Sequence, residues 1–244
     1  MFLEKIISLI NSNKYDIIFK KFINWREKRG KIMWKAGTFE YPIPAVMVTV
    51  GDMENSSIIT IAWTGIINTD PAMVYISVRP SRYSYKMLKK YKEFVINLTN
   101  EDLAFATDFC GVKSGEKVDK FKEMGLTKEK ANFVKCPAIK ESPVSIECKV
   151  KEIKELGSHH MFIAEVLCIN ADEKYIDKNG AFDISKCNLI AYANGGYYSL
   201  GKKIGKFGFS VMKKNNKINN KNDKNVMKKM NYNKNNKAKR KRGN

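Results

Sequence analysis

The chain has 244 residues, 43% of them hydrophobic and 11% aromatic, with a mean hydropathy of −0.40. These values suit a soluble packed core and exclude a small disulfide scaffold or a membrane channel. The formal net charge of +20 would by itself point to nucleic acid or an anionic membrane, but residues 213–244 hold 13 Lys or Arg against the single acid Asp223, residues 1–35 hold 9 against 3, and residues 36–212 are left at +2.

Taken in chain order, residues 4–25 place Ile6, Leu9, Ile10, Ile17, Ile18, Phe22 and Trp25 at loosely helical spacing among lysines. That spacing predicts an amphipathic N-terminal extension over residues 1–32, either an accessory helix or a membrane-surface anchor. Glu4 and Lys5 interrupt the opening apolar run, so no signal-peptide core is expected, and no run approaches the ~18 apolar residues of a membrane span. Cysteines 110, 136, 148, 168 and 187 are odd in number and form no C-x-x-C pair, which argues against a disulfide framework or structural zinc and suits a reducing cytoplasm.

Runs rich in Val, Ile, Tyr and Phe predict strands over 46–50, 57–63, 73–78 and 94–98, then over 144–153, 161–169 and 189–193. Helices are expected over 83–91 and over 101–109, the second capped by Asn100 and ended by Gly111, with a polar, Lys-rich stretch over 113–135. About seven strands joined mostly by short turns favour an antiparallel barrel or sandwich, because a parallel sheet would need helices between nearly all of them. Residues 213–244, with 11 Asn and few apolar side chains, are expected to be disordered.

Gly196-Tyr197-Tyr198-Ser199-Leu200-Gly201-Lys202 has the spacing of a phosphate-binding P-loop, yet Lys203 stands where magnesium would need Ser or Thr. No G-x-G-x-x-G follows the first strand, so a Rossmann unit has no support. The two histidines, His159 and His160, are neighbours at the mouth of a strand, where side chains point to opposite faces, and no ligand spacing suggests a metal. One of them is expected to serve as a positioned hydrogen-bonding imidazole. The densest constellation runs from Ser56 to Ser84: a strand end at Ala62-Trp63-Thr64-Gly65, a turn through Asn68-Thr69-Asp70-Pro71, and Ser77-Val78-Arg79 followed by Pro80-Ser81-Arg82-Tyr83-Ser84. Two arginines and a serine just before a helix start suit a phosphate, since guanidinium forks and free backbone N–H groups converge there.

The order of these blocks over about residues 33–212 resembles the flavin reductase-like family, the FMN-binding split barrels that include flavoredoxin and short-chain flavin reductases. Gly37-Thr38-Phe39, Ile59 to Gly65, Asp70-Pro71-Ala72-Met73-Val74, Ser77 to Ser84, Phe94 to Leu98, Gly157-Ser158-His159 and Leu200 to Gly208 carry the resemblance. It implies a mainly β, antiparallel Greek-key split barrel with a few flanking helices, working as a homodimer that binds FMN and draws electrons from NADH or NADPH. By the same likeness Ala62, Trp63, Thr64 and Gly65 would line the isoalloxazine ring. Asn68, Ser77, Arg79, Arg82 and Ser84 would serve the ribityl chain and phosphate, and His159 the nicotinamide side. Here Ser158 replaces the family's aspartate and Ala72 the second proline of its Pro-Pro turn. Electrons would pass on to an acceptor protein or oxygenase; the alternative is a flavoredoxin-type FMN carrier without NAD(P)H turnover. Specific nucleic-acid binding is not expected of so neutral a body.

Overall fold

The computed structural model describes residues 30–212, which fall into two units that part after Glu40. The expected tail, and all but the last three residues of the expected N-terminal extension, lie outside the described residues. Residues 30–40 form no regular element, and within them Trp34 meets Phe39 edge to face at 5.6 Å.

From Tyr41 onward the chain is built chiefly of antiparallel strands. β1 (Ile43–Pro44), β2 (Val46–Gly51), β3 (Ser56–Ile61), β4 (Thr64–Thr69) and β5 (Ala72–Val78) precede helix α1 (Tyr83–Tyr91) and β6 (Glu93–Leu98). A short 3-10 turn (Glu101–Leu103) leads into α2 (Ala104–Val112), α3 (Lys120–Glu123), β7 (Lys128–Glu129) and β8 (Ala138–Ile139). The long hairpin β9 (Val144–Glu155) and β10 (His160–Ala171) follows, then β11 (Ile190–Ala193) and β12 (Gly196–Ser199). Seven strands form one sheet in the order β3-β2-β6-β9-β10-β5-β4, a second sheet is β1-β11-β12, and β7 pairs with β8.

The large sheet curls until its near-edge strands share a core: Ile59 and Ile61 of β3 pack in one cluster with Val74, Ile76 and Val78 of β5. Alternation along each strand explains which residues enter it. In β2, Val46, Val48 and Val50 face this core, whereas Met47 points the other way into a cluster with Ile58, Leu103, Ala106, Cys110 and Phe121. Strand β2 is therefore buried on both faces, with α2 and α3 covering the outer one. At roughly 2 kcal/mol for each fully buried aliphatic side chain, this double layer is a main source of fold stability.

Helix α1 agrees end to end with the sequence expectation; Lys92 at φ 55° stops it, and its amide closes on the Leu88 carbonyl. Asn100 does cap the next turn, its side chain accepting from Leu103 N–H, but α2 runs through Gly111 instead of ending before it. Gly111 serves close approach: a Cβ there would stand 3.3 Å from Thr60 Cβ on β3. Strand β4 was not expected, and Gly196 to Ser199, the stretch with P-loop spacing, is a hairpin strand paired with β11. Among the described residues no helix is long and apolar enough to cross a membrane.

Candidate functional site

At one end of the barrel, where β3 gives way to β4, the chain makes a tight reversal. Thr64 N–H donates to Ala62 O at 3.1 Å, Ser77 N–H donates to Trp63 O at 2.8 Å, and Thr64 Oγ1 donates to Tyr75 O at 2.7 Å. These bonds hold Trp63 outward, 40% exposed, beside a cleft of about 470 Å³. Ala62, Trp63, Ser77, Arg79, Arg82 and His159, all expected from the sequence, line it together. The Trp63 and His159 rings lie nearly parallel, with centroids 6.0 Å apart and planes 7° apart.

The arginines arrive through a turn, Arg82 N–H donating to Arg79 O at 3.0 Å, that delivers the chain into α1. Arg82 is the residue before the first helical turn, that turn holds no acidic residue, and no side chain caps its N–H groups. Among the described residues neither guanidinium forms an ion pair. Helix start and guanidinium groups therefore leave the same place positive and able to donate.

A smaller hollow of about 110 Å³ continues past Arg82, lined by Ser81, Ser84, Ser114, Gly115, Lys113 and Lys120 among others. Ser84, buried, bonds Ser57 Oγ at 3.4 Å. Lys120 is also buried and donates to Ile58 O and Cys110 O, both at 2.7 Å. Burial pushes its ammonium down to about 8, Cys110 opposes that change, and the Arg82 charge reinforces it.

His159 is held from two sides. Arg79 Nε donates to its Nε2 at 3.4 Å, and Ser158 Oγ lies 3.0 Å from its Nδ1. Burial and then the Arg79 and Arg82 charges lower its pKa from the ordinary 6.5, so the ring is neutral at pH 7.

Of the expected residues, Ser84 lines only the smaller hollow, and three line neither space. Thr64 is engaged with Tyr75, Gly65 packs so closely on Tyr75 that a Cβ would stand 2.9 Å from its ring, and Asn68 donates to the carbonyls of Asp70 and Pro71 at the far end of β4. The sequence reading in turn missed Asp108, Tyr192 and Tyr197, which close the other side. Tyr197 donates to Asp108 Oδ1 at 3.2 Å, and burial, reinforced by that carboxylate, pushes the phenol up to about 12. Only the tyrosine pair of β12 was visible as a signal, and P-loop spacing masked it. Lys120 was hidden among the lysines of 113–135.

The arrangement fits FMN in its parts: aromatic planes for a flat heterocycle at one end, and serines, arginines and an uncapped helix start for a phosphate at the other. The family model for the flavin reductase like domain matches residues 38–201. A protein of Pyrococcus abyssi is 34% identical over 149 residues, 61% of this chain and 82% of its own length. The structure of flavoredoxin from Desulfovibrio vulgaris (Miyazaki F) superposes with a TM-score of 0.70 at 29% identity, covering 75% of this chain and all of that one. Flavoredoxin from Methanosarcina acetivorans gives 0.67 at 27%, covering 75% and 99%. A putative flavin reductase with a split barrel domain from Shewanella frigidimarina shares the fold, with a TM-score of 0.61 at 19% identity over 68% of this chain and 85% of that one. With most of its length matched and the antiparallel split barrel in place, this chain belongs to the flavin reductase-like domain family.

Proposed function

We propose that the protein is an FMN-dependent oxidoreductase that draws electrons from NADH or NADPH and passes them to a protein or oxygenase acceptor, working as a homodimer in the cytoplasm. The observation that carries this reading is the continuity of the cleft from the Trp63 and His159 rings to the positive start of α1. Bound FMN would supply the redox chemistry, accepting hydride from the reduced nicotinamide and returning electrons to the acceptor.

The chain's own groups would bind and orient. Arg82, Ser84 and the first N–H groups of α1 take the phosphate, and Ser77 reaches the ribityl chain. Ala62 and Trp63 flank the ring, while Thr64 and Gly65 act by fixing the reversal that presents Trp63. The neutral His159 ring, its Nε2 turned to Arg79, sets the face on which the nicotinamide lies. The second subunit would lie against edge strand β4; the 81% exposure of Ile66 and 47% exposure of Ile67, near Asn68, support this side.

An absorption spectrum of purified protein mixed with FMN, followed by anaerobic addition of NADH and then NADPH, tests the reading. Bands that shift on binding and bleach with one nucleotide support it and name the donor. A protein that takes up no FMN overturns it. His159→Ala is expected to slow bleaching about tenfold, the worth of one lost oriented contact, while FMN affinity stays within about twofold. Equal losses in both would mark a structural histidine.

A second reading, an electron carrier of the flavoredoxin kind, has its own observation. Ser158 offers His159 Nδ1 a neutral hydroxyl where the family's pattern has a carboxylate. Full FMN uptake with bands that persist under both nucleotides would select it.

A further inference from the structure

His159 and His160 are adjacent yet serve different surfaces. His159 lines the cleft, whereas His160 opens β10, paired in register with Val78 of β5 and Glu155 of β9, and turns its ring to α1. There Tyr85 Oη lies 2.7 Å from His160 Nδ1, and the rings meet edge to face at 5.4 Å. Tyr85 is 8% exposed and also packs edge to face on Phe162 at 5.7 Å, so its hydroxyl is held in place by the core. Glu155 Oε1 stands 3.5 Å from the same Nδ1.

The connectivity gives this bond its importance. Tyr85 N–H donates to Arg82 O at 3.0 Å, which ties the phenol rigidly to the turn carrying Arg82 and Ser84. His160 is bonded by the chain to His159. Among the described residues, the Tyr85–His160 contact is the only hydrogen bond between α1 and β10. Arg79 is already tied to that wall by its own bond to His159 and by the β5–β10 pairing, so the phenol–imidazole bond is what links the helix start, with Arg82, to the wall that carries His159.

We propose that Tyr85 and His160 are positioning residues of the cleft, whose hydrogen bond fixes the spacing between His159 and Arg82 at the start of α1. The role in catalysis rests on the FMN reading above; the spacing itself does not. A rigid joint there lets one wall orient the nicotinamide while the other holds a phosphate, without either drifting when the far end is empty.

The full-length protein without cofactor gives the test, because with two histidines in the chain the ring NMR spectrum holds only two sets of signals. Tyr85→Phe removes the hydroxyl and keeps the ring contacts. The titration midpoint of His159, held below 6.5 by burial and by the two guanidinium charges, is expected to rise by about half a pH unit as Arg82 moves off. FMN affinity is expected to fall about threefold. His160→Leu should reproduce both changes, and His160→Gln, whose amide oxygen can accept from Tyr85, should restore wild-type values. A His159 midpoint unchanged in both Tyr85→Phe and His160→Leu overturns the proposal, whatever their effect on thermal stability. Should wild-type protein bind no FMN, the cofactor reading fails while the histidine titration still decides the spacing.

Discussion

Arg82→Ala is expected to weaken FMN binding roughly 30-fold, from the loss of charge-assisted hydrogen bonds to a phosphate. Arg82 lines both the main cleft and the small hollow beyond it, so its guanidinium occupies the junction where a ring site passes into an anion site. The N–H groups of α1 remain after the substitution, which is why binding should be weakened and not abolished. Arg79→Ala should cost less, because Arg79 Nε is already engaged with His159. Arg82→Lys should recover only part of the loss, since an ammonium cannot donate in a bidentate fork. Quenching of FMN fluorescence at two salt concentrations checks all three. Wild-type affinity should fall as salt rises, and that dependence should be shallower in Arg82→Ala. Equal affinities for wild type and Arg82→Ala would move the phosphate elsewhere.

The same arginine explains what was and was not legible in the sequence. Arg79, Arg82 and Ser84 are close in sequence and sit where a β run yields to a helical pattern, so the anion-binding end could be read locally. His159 was reachable through the Gly-Ser-His order, and alternation at a strand mouth suggested its separation from His160, although His159 itself stands just before β10. Asp108, Tyr192 and Tyr197 come to the cleft from a helix and from a second sheet, and no local pattern announces where those pack. Lys120 is a single buried lysine within a lysine-rich stretch. It opens the short helix α3, which Asp119 caps by accepting from the Phe121 and Lys122 amides, and its ammonium is held by the distant Ile58 and Cys110 carbonyls, which no local pattern announces.

Strand β4 was missed for a different reason. Thr64-Gly65-Ile66-Ile67-Asn68-Thr69 lacks alternation because most of it is exposed, and its pairing with β5 slips between Ile66 and Asn68. A bulged edge strand leaves little trace in composition. The core strands were easy by comparison: β2 is Val and Met but for one Thr and its closing Gly, β3 carries three Ile and β6 holds Phe, Val, Ile and Leu, and burial on both faces leaves such strands little freedom of composition.

Glu147 shows how a residue invisible in a strand pattern can govern stability. It lies on β9 between Ile146 and Cys148 with no exposed surface, and its carboxylate accepts from Asn132 N–H at 2.9 Å, Phe133 N–H at 2.6 Å, Asn132 Nδ2 at 3.2 Å and Asn170 Nδ2 at 2.8 Å. These bonds fasten the segment whose Ala131, Val134, Cys136 and Ala138 pack on Val95. Glu147→Ala removes four part-buried hydrogen bonds to a carboxylate, and at about 1 kcal/mol net for each the expected loss is about 4 kcal/mol, read by urea unfolding at pH 7. Glu147→Gln retains one acceptor oxygen but turns an amide NH2 toward other donors, so about 2 kcal/mol is expected. Burial alone would raise this carboxyl, yet the backbone and amide donors outweigh it and hold the pKa below the ordinary 4.5. The folded chain thus releases this proton more readily than the unfolded one. The contribution is full above pH 4.5 and is lost as the pH falls through the lower folded value, so the stability gap between wild type and Glu147→Gln should narrow in acid. A gap that stays constant from pH 7 to pH 3 would mean that the charge on Glu147 adds nothing and that shape alone holds the segment down.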